Sequence, residues 1–425
     1  AIREKLGLQL DEFVNPQALN PDDLSLDMFS SRELTTLGLV NYQGYDYTGA
    51  LTPAGVTFND FFTSTGPDGV RNFPVAPLRP VWQGAYLKDK FTFNKMIFSL
   101  GVRVEQIDLN TRVMRDQYSL YQIQDARAFF QSNPGFTRPE GIGDDFKVYV
   151  ESPTDQTPKA FRNGNVWYNR NGIQVNDANV IFGGGVIAPV LTDEVVGGDI
   201  TDPRFDPNTS FEDYKPQLNW MPRLAFSFPI SKEANFFAHY DILVQRPPGQ
   251  WQVTPLDYFY FYVPGRTPRN NANLRPERVV DYEVGFQQLL TKNTAIKLQA
   301  YYRELRDMIQ SRVVLYVPVI GRYETFGNID FGTVKGFTAQ YEMRRMQNLE
   351  MRLAYTLQFA DGTGSDPETQ RSLAQFGNLR TLFPLSFDER HNLQAIIDYR
   401  FEDGNRYNGP RIGGLDVLSN FGVNL

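Results

Sequence analysis

Cysteine is absent from this 425-residue sequence, which excludes disulfides, thiolate zinc sites, iron–sulfur clusters and cysteine nucleophiles. Histidine is nearly absent: His239 and His391 leave little scope for imidazole-based metal or triad chemistry. No apolar stretch approaches the roughly 20 residues a membrane-spanning helix needs, and mean hydropathy is −0.40. A basic excess is missing too. The 42 Lys and Arg are outnumbered by 49 Asp and Glu, giving a net charge of −7, where a nucleic-acid binder usually shows a basic face. Gly (34) and Pro (27) occur in ordinary amounts, so collagen-like and low-complexity readings fail. The chain opens at Ala1 with neither an initiator Met nor the basic-then-apolar pattern of a signal peptide, and is read as a processed or fragmentary piece.

What is abundant is aromatic: 33 Phe, 22 Tyr and 4 Trp, or 14%, in a chain otherwise polar. Outer-membrane β-barrels share that combination. The stronger signal is period-2 alternation, which places alternate side chains on opposite faces of a sheet. Met96, Phe98, Leu100, Val102 and Val104 alternate with Ser99, Gly101, Arg103 and Glu105, after a tight Asn94-Lys95 turn from 82–93. The unit recurs over 223–245 around Ser231-Lys232-Glu233, over 280–303 around Thr291-Lys292-Asn293, and over 337–359 around Gln347-Asn348. A fifth pair begins at 392–401 and turns at Asp403-Gly404-Asn405, with a partial run from about Arg411.

Runs of about 10 residues suit a tilted strand crossing a bilayer better than a soluble sandwich. Connections alternate between two-to-four-residue turns and long Gly/Pro/Asp/aromatic-rich loops at 106–217, 246–278, 307–332 and 361–389. Short turns on one side and long loops on the other mark an all-β transmembrane antiparallel barrel with long extracellular loops. Aromatics at the strand–loop borders (Trp82, Tyr86, Trp220, Tyr301, Tyr302, Tyr399 and Phe401) fit interface girdles.

Several segments then resemble TonB-dependent outer-membrane receptors. Asn273-Leu274-Arg275-Pro276-Glu277-Arg278 followed by Asp281-Tyr282-Glu283-Val284-Gly285-Phe286 is similar to that family's "N-x-x-L-x-P-E … Y-E-x-G-F" passage. Tyr86-Leu87-Lys88-Asp89-Lys90-Phe91 with Leu100-Gly101-Val102-Arg103-Val104-Glu105, Pro222-Arg223-Leu224-Ala225-Phe226-Ser227, the Asn328-to-Phe337 passage and Asp388-Glu389-Arg390-His391-Asn392-Leu393 resemble a family hairpin, a strand and two strand entries, in family order. The region 29–62, with Asn41-Tyr42-Gln43-Gly44-Tyr45, looks like the large extracellular loop of the Oar-like branch. The resemblance implies part of a barrel of about 22 strands around a plugged lumen, with residues 1–81 an extracellular loop region and barrel approach and 82–425 the partial barrel. The plug domain and energy-coupling box that the family places ahead of its barrel are not visible.

The function implied is import of a large or scarce ligand across the outer membrane of a Gram-negative bacterium, energised through TonB by way of the plug. A passive outer-membrane pore or a barrel scaffold in a larger complex is the alternative. A soluble β-rich enzyme or carbohydrate-binding module is a third class, disfavoured by the apolar stripes and the lack of acid–base constellations. No enzymatic activity and no cofactor are expected. Expected partners are TonB, outer-membrane lipid and lipopolysaccharide, and a surface lipoprotein; nucleic acid is not among them. Ligand contact is assigned to the loop bearing Trp251, Tyr258, Tyr260, Tyr262, Arg266 and Arg269, because amphipathic aromatics beside arginines make recognition surfaces. The competing reading has 258–262 extending a strand and packing loop on loop. The carboxylates Asp193, Glu194, Asp199, Asp202, Asp206, Glu212 and Asp213 lack ordered calcium-loop spacing and read as a solvated loop, and no metal site is assigned. Charges of alternating sign on the polar face, such as Arg103, Glu105, Asp281, Glu283 and Arg303, are expected to pair with one another.

Overall fold

A computed structural model describes residues 2–9, 11–25, 28, 44–45, 50–66, 69, 71–182, 187–192, 199–202, 204–262, 270–317, 320–374 and 380–425. Its frame is a meander of ten strands: β1 (Val81–Phe93), β2 (Met96–Asp108), β3 (Gln217–Pro229), β4 (Ala234–Gln245), β5 (Glu277–Leu289), β6 (Thr294–Val317), β7 (Gly321–Met346), β8 (Leu349–Gly362), β9 (His391–Arg400) and β10 (Gly422–Asn424). Each pairs antiparallel with the next, and Phe383–Pro384 adds a short strand beside β8. The sheet is not closed: among the described residues β1 and β10 remain its two edges. A 13-residue strand such as β3 or β5 spans roughly 43 Å, enough to cross a hydrocarbon core at a tilt.

The turns at one end are tight for local reasons. Asn94 (φ 47°) and Lys95 (φ 66°) both take the left-handed conformation that a two-residue hairpin turn requires. Ser231 and Thr291 each turn the chain with the hydroxyl, Oγ of Ser231 accepting the N–H of Glu233 and Oγ1 of Thr291 that of Asn293.

Directly paired residues share a face, so the register converts sequence alternation into rows across the sheet. One row reads Phe91, Phe98, Phe226, Ala238, Val284, Ala300, Phe337 and Leu357. The next row towards the long loops reads Leu100, Leu224, Tyr240, Tyr282 and Tyr302, its tyrosine rings 5.1 and 6.2 Å apart. The opposite face carries Lys88, Gly101, Arg223, Asp241, Asp281 and Arg303 in register. One face is therefore apolar and girdled, the other charged, as a wall between lipid and a polar lumen requires.

The wall has one split. β3 pairs with β2 along 217–227 but with β4 only from Arg223↔Asp241 downward. Pro222 has no N–H to offer a neighbour, and the β3–β4 ladder ends beside it.

Two sequence expectations need correcting. Residues 307–317 and 321–332 are not a loop: they are the outer parts of β6 and β7, a ribbon with register shifts between Leu305 and Ile309 and between Leu315 and Val317. Nor does the run from Arg411 join the wall directly. Arg411–Ile412 pairs with Leu415–Asp416 in a separate hairpin, and the wall resumes at Gly422.

Candidate ligand-binding vestibule

The family-like motifs become tethers at the top of the wall. Asn328 Oδ1 accepts the Arg275 N–H (2.7 Å), while its Nδ2 donates to the carbonyls of Arg275 (2.7 Å) and Asp307 (2.7 Å). Glu277 accepts the Ile309 N–H (2.9 Å), and Asn271 donates to the Phe326 carbonyl (2.9 Å). Leu274, Ile309 and Phe326 pack together beneath these bonds. Asn271 to Glu277 thus fastens the 246–276 connection to the ribbon. Likewise Asp388 accepts the Ala360 N–H (2.8 Å), Arg390 lies 4.6 Å over the Phe359 ring, and His391 Nδ1 bonds the Tyr355 hydroxyl (2.9 Å).

On the polar face the expected charges do pair. Arg103 bonds Glu105, Arg246 reaches Glu105 (3.8 Å), Arg303 sits 3.2 Å from Asp281, and His239 lies between Asp281 (3.9 Å) and Glu283 (3.7 Å). Two aromatic rings interrupt the charges. Phe237 lies across Gly285 and Tyr301 across Gly336, its hydroxyl donating to Gln358 (2.9 Å).

Above this face the long connections fold into a cap rather than trailing as loops. Residues 109–216 enter and leave through a two-stranded neck, Arg112–Met114 against Phe211–Asp213. They build a five-stranded sheet from Lys147–Ser152, Asp155–Asn163, Val166–Asn169, Gln174–Val175 and Ala188–Pro189. Its helix Ala126–Ser132 is capped by Asp125, which accepts the Ala128 N–H. Inside, Arg162 is buried: it donates to the Tyr149 hydroxyl (2.8 Å) and the Gly164 carbonyl (2.7 Å), pairs with Asp116, and stacks 4.5 Å from the Tyr118 ring. Burial works against its charge, and Tyr149 with Asp116 more than restores it, leaving the guanidinium pKa above its ordinary value.

The cap's main core draws on separated segments: Phe58, Phe61 and Phe62 from the N-terminal region, Leu120, Phe205 and Phe211 from 109–216, Phe259 and Phe261 from 246–276, and Val314 from the ribbon. Each fully buried Phe is worth about 1.5–3 kcal/mol relative to exposure. Tyr316 joins the ribbon tip to this cap, stacking 4.8 Å from Phe182 and donating to Asp177 (3.0 Å). Arg312 donates to Gln117 (2.7 Å) and Tyr323 to the Gln117 carbonyl (2.9 Å).

The residues expected to contact ligand are drawn into this packing. Trp251 (8% exposed) packs against Trp82 and the Ile107–Leu109 segment; Tyr258 meets Phe211 at 4.8 Å; Tyr260 is 5% exposed; Tyr262 accepts the Leu120 N–H (3.1 Å). Trp251 and Tyr260 are interior, Tyr258 and Tyr262 are partly buried against the core, and 255–259 is a short helix rather than a strand extension. Burial drives the Tyr258 phenol well above its ordinary pKa, and the same cause raises Tyr121 and Tyr149 and takes Tyr214 to about 12. Arg266 and Arg269 lie outside the described residues, as do Asp193 and Glu194 and all of Asn41–Tyr45 except Gly44 and Tyr45. The remaining acidic residues have structural work: Asp202 accepts from Arg204 and is lowered to about 2, Asp206 caps Asn208, and Asp213 faces Arg112 (3.3 Å).

The open space among the described residues includes two grooves beside the cap. One, about 650 Å³, is lined by Asp116, Tyr118, Lys147, Arg162, Asn165 and Glu212. The other, about 690 Å³, runs between Val56, Asn59 and Arg79 on one side and Arg112, Asn208 and Tyr214 on the other. Both offer mixed hydrogen-bond donors and acceptors on rigid supports. Composition hid this: Gln117, Arg162 and Tyr316 lie in unremarkable sequence.

The family match agrees with the wall. The family description "TonB dependent receptor-like, beta-barrel" matches residues 9–424. No curated protein matches the chain. Among solved structures it is similar to the FrpB iron transporter from Neisseria meningitidis, F3-3 variant (9% identity, TM-score 0.36, 83% of this chain and 36% of that one). It is also similar to a Serratia marcescens hemophore receptor HasR in complex with its hemophore HasA and heme (10%, 0.37, 77% and 42%) and to the copper transporter OprC (11%, 0.34, 78% and 34%). The chain spans less than half the length of each.

Proposed function

Because the chain belongs to the TonB-dependent receptor-like β-barrel family, we propose that it forms wall and extracellular cap of an outer-membrane importer in a Gram-negative bacterium. The observation that carries this reading is the two-faced meander: an apolar, tyrosine-girdled face and a charge-paired face, with tight turns at one end and a folded cap at the other. Unpaired strand edges are untenable in hydrocarbon, so the free edges of β1 and β10 are completed by further strands of the same barrel. Residues 1–81 form the extracellular approach and 82–425 the wall with its cap. The likeness of 29–62 to the large outer loop supports the Oar-like branch. Ligand enters by the grooves beside Arg112 and Arg162, while the buried aromatics of 251–262 hold the cap's shape. Transfer across the lumen is driven through TonB acting on a plug of the family's usual layout.

The test uses the full-length receptor. Extraction from outer membranes only by detergent, and capture of the purified receptor by immobilised TonB periplasmic domain, are expected. Release into aqueous buffer would overturn the membrane reading; detergent-dependent extraction without TonB capture would leave a passive pore or scaffold.

A further inference from the structure

The groove beside Arg162 is lined by three basic and three acidic side chains: Arg115, Lys147 and Arg162 against Asp116, Asp145 and Glu212. Four of the six pair with one another, Arg162 bonding Asp116 and Arg115 standing 3.7 Å from Glu212. Lys147 and Asp145 make no ion pair and no side-chain hydrogen bond among the described residues. One free charge of each sign therefore opens on the same groove. The local fold explains this. Lys147 opens a strand as the register partner of Arg162, so the two side chains share a face of the sheet. Arg162 turns inward to Asp116 and the Tyr149 hydroxyl, while Lys147 stays at the rim. Asp145 lies in the turn two residues earlier.

The same groove carries unengaged amides. The side chains of Gln122 and Asn163 from the 109–216 domain, and of Asn273 from the 246–276 connection, line it without a hydrogen-bond partner among the described residues. Each presents a donor and an acceptor, the complement of a peptide bond. Charge then decides the ligand class. A neutral glycan covering the groove would strip water from Lys147 and Asp145 and return no countercharge, which is costly. A polyanionic chelate would meet Lys147 but oppose Asp145, in a lining whose formal charges cancel. A chain with an ammonium at one end and a carboxylate at the other satisfies both.

We propose that the groove beside Arg162 binds a short oligopeptide with free ends. Its carboxylate sits on the Lys147 ammonium, its amino terminus on Asp145, and its main-chain amides on Gln122, Asn163 and Asn273. Arg162, saturated by Asp116, the Tyr149 hydroxyl and the Gly164 carbonyl, holds the wall of the groove and leaves the ligand to its neighbours. The proposal rests on the importer reading above and gives its cargo a chemical class.

The test measures binding of tetrapeptides built from uncharged residues to the purified full-length receptor in detergent micelles. Copies acetylated at the amino end, copies amidated at the carboxyl end, and maltotetraose are measured beside them. Unblocked peptides are expected to bind, and each block to weaken binding about fivefold, the contribution of one ion pair at a partly exposed site. Lys147→Gln should abolish the effect of amidation and keep that of acetylation; Asp145→Asn should do the reverse. Neither residue is buried, and fluorescence of Trp167, in the aromatic cluster around Arg162, checks that each variant is folded. No binding of unblocked peptides, equal binding of blocked ones, equal binding of maltotetraose, or a folded variant with the wild-type pattern would overturn the proposal. Failure of TonB capture by the same preparation would instead sink the importer reading on which it rests.

Discussion

Phe237 lies so closely over Gly285, its cross-strand partner, that a methyl group there would stand 2.1 Å from the ring's Cζ. The pair Tyr301 and Gly336 repeats the arrangement at 2.4 Å. Both glycines belong to the family-like motifs, and in both the absence of a side chain lets a large ring lie flat on the polar face.

Gly285→Ala should therefore displace Phe237 and destabilise the wall by about 1–3 kcal/mol, the range for overpacking. Phe237→Leu in the same chain should recover part of the loss. Urea unfolding in detergent micelles measures both; an unchanged midpoint for Gly285→Ala would show that the ring yields freely.

Asn328→Ala removes three hydrogen bonds that tie Arg275 and Asp307 together. At about 1 kcal/mol net for each, the connection ahead of β5 should open more often and become protease-sensitive around 270–276. Limited proteolysis followed by peptide mapping reads this directly, and the idea fails if cleavage stays at wild-type rates.

The buried pair of Arg162 and Asp116 makes a sign-dependent prediction. Replacing Asp116 by Asn leaves the guanidinium, 4% exposed, without its countercharge, a change that typically costs about 3–5 kcal/mol. The double change Asp116→Leu with Arg162→Met should cost less than either single charge removal. Fluorescence of Trp167, in the same aromatic cluster, follows the unfolding of this part of the cap.

Alkaline pH should open the cap before the wall. Burial raises Tyr214 to about 12 and pushes Tyr121, Tyr149 and Tyr258 up as well. A group whose folded pKa is raised contributes stability that is complete below its unfolded pKa, near 10, and is lost as pH climbs through the folded value. The window is thus pH 10–12 for Tyr214, and tyrosinate absorbance should lag there until the cap opens. Tyr214→Phe should move that opening to higher pH. Simultaneous ionisation of all tyrosines near pH 10 with the cap intact would contradict this.

The wall was legible in the sequence because each strand has one lipid-type face and one polar face, and alternation records that directly. The ribbon was not. Gln310 and Ser311, neighbours in sequence, are both fully buried there and Val314 is nearly so, so residues 307–332 show no clean period and contain Pro318 and Gly321 where a loop would. The vestibule was legible only as a concentration of aromatics. Trp251 and Tyr258 beside arginines look alike whether they face ligand or pack inward, and the choice is made by Phe58, Phe211 and Phe261, which arrive from three distant segments. The tethering by Asn328 and the ring beds at Gly285 and Gly336 give the family-like residues a mechanical meaning that a motif match alone does not carry.

The interrupted ladder beside Pro222 divides the upper wall into two panels. The first, β2 with the top of β3, carries both ends of the 109–216 domain; the second, β4 onward, carries the ribbon and the 246–276 connection. Because no rungs join the panels above Arg223 and Asp241, their relative swing is resisted chiefly by the cap: Gln117 holding Arg312 and Tyr323, and Tyr316 lodged against Phe182. From the cap down to Pro222 the two halves of the upper wall are thus tied to one another through side chains of the connections, and only below that point through the sheet itself.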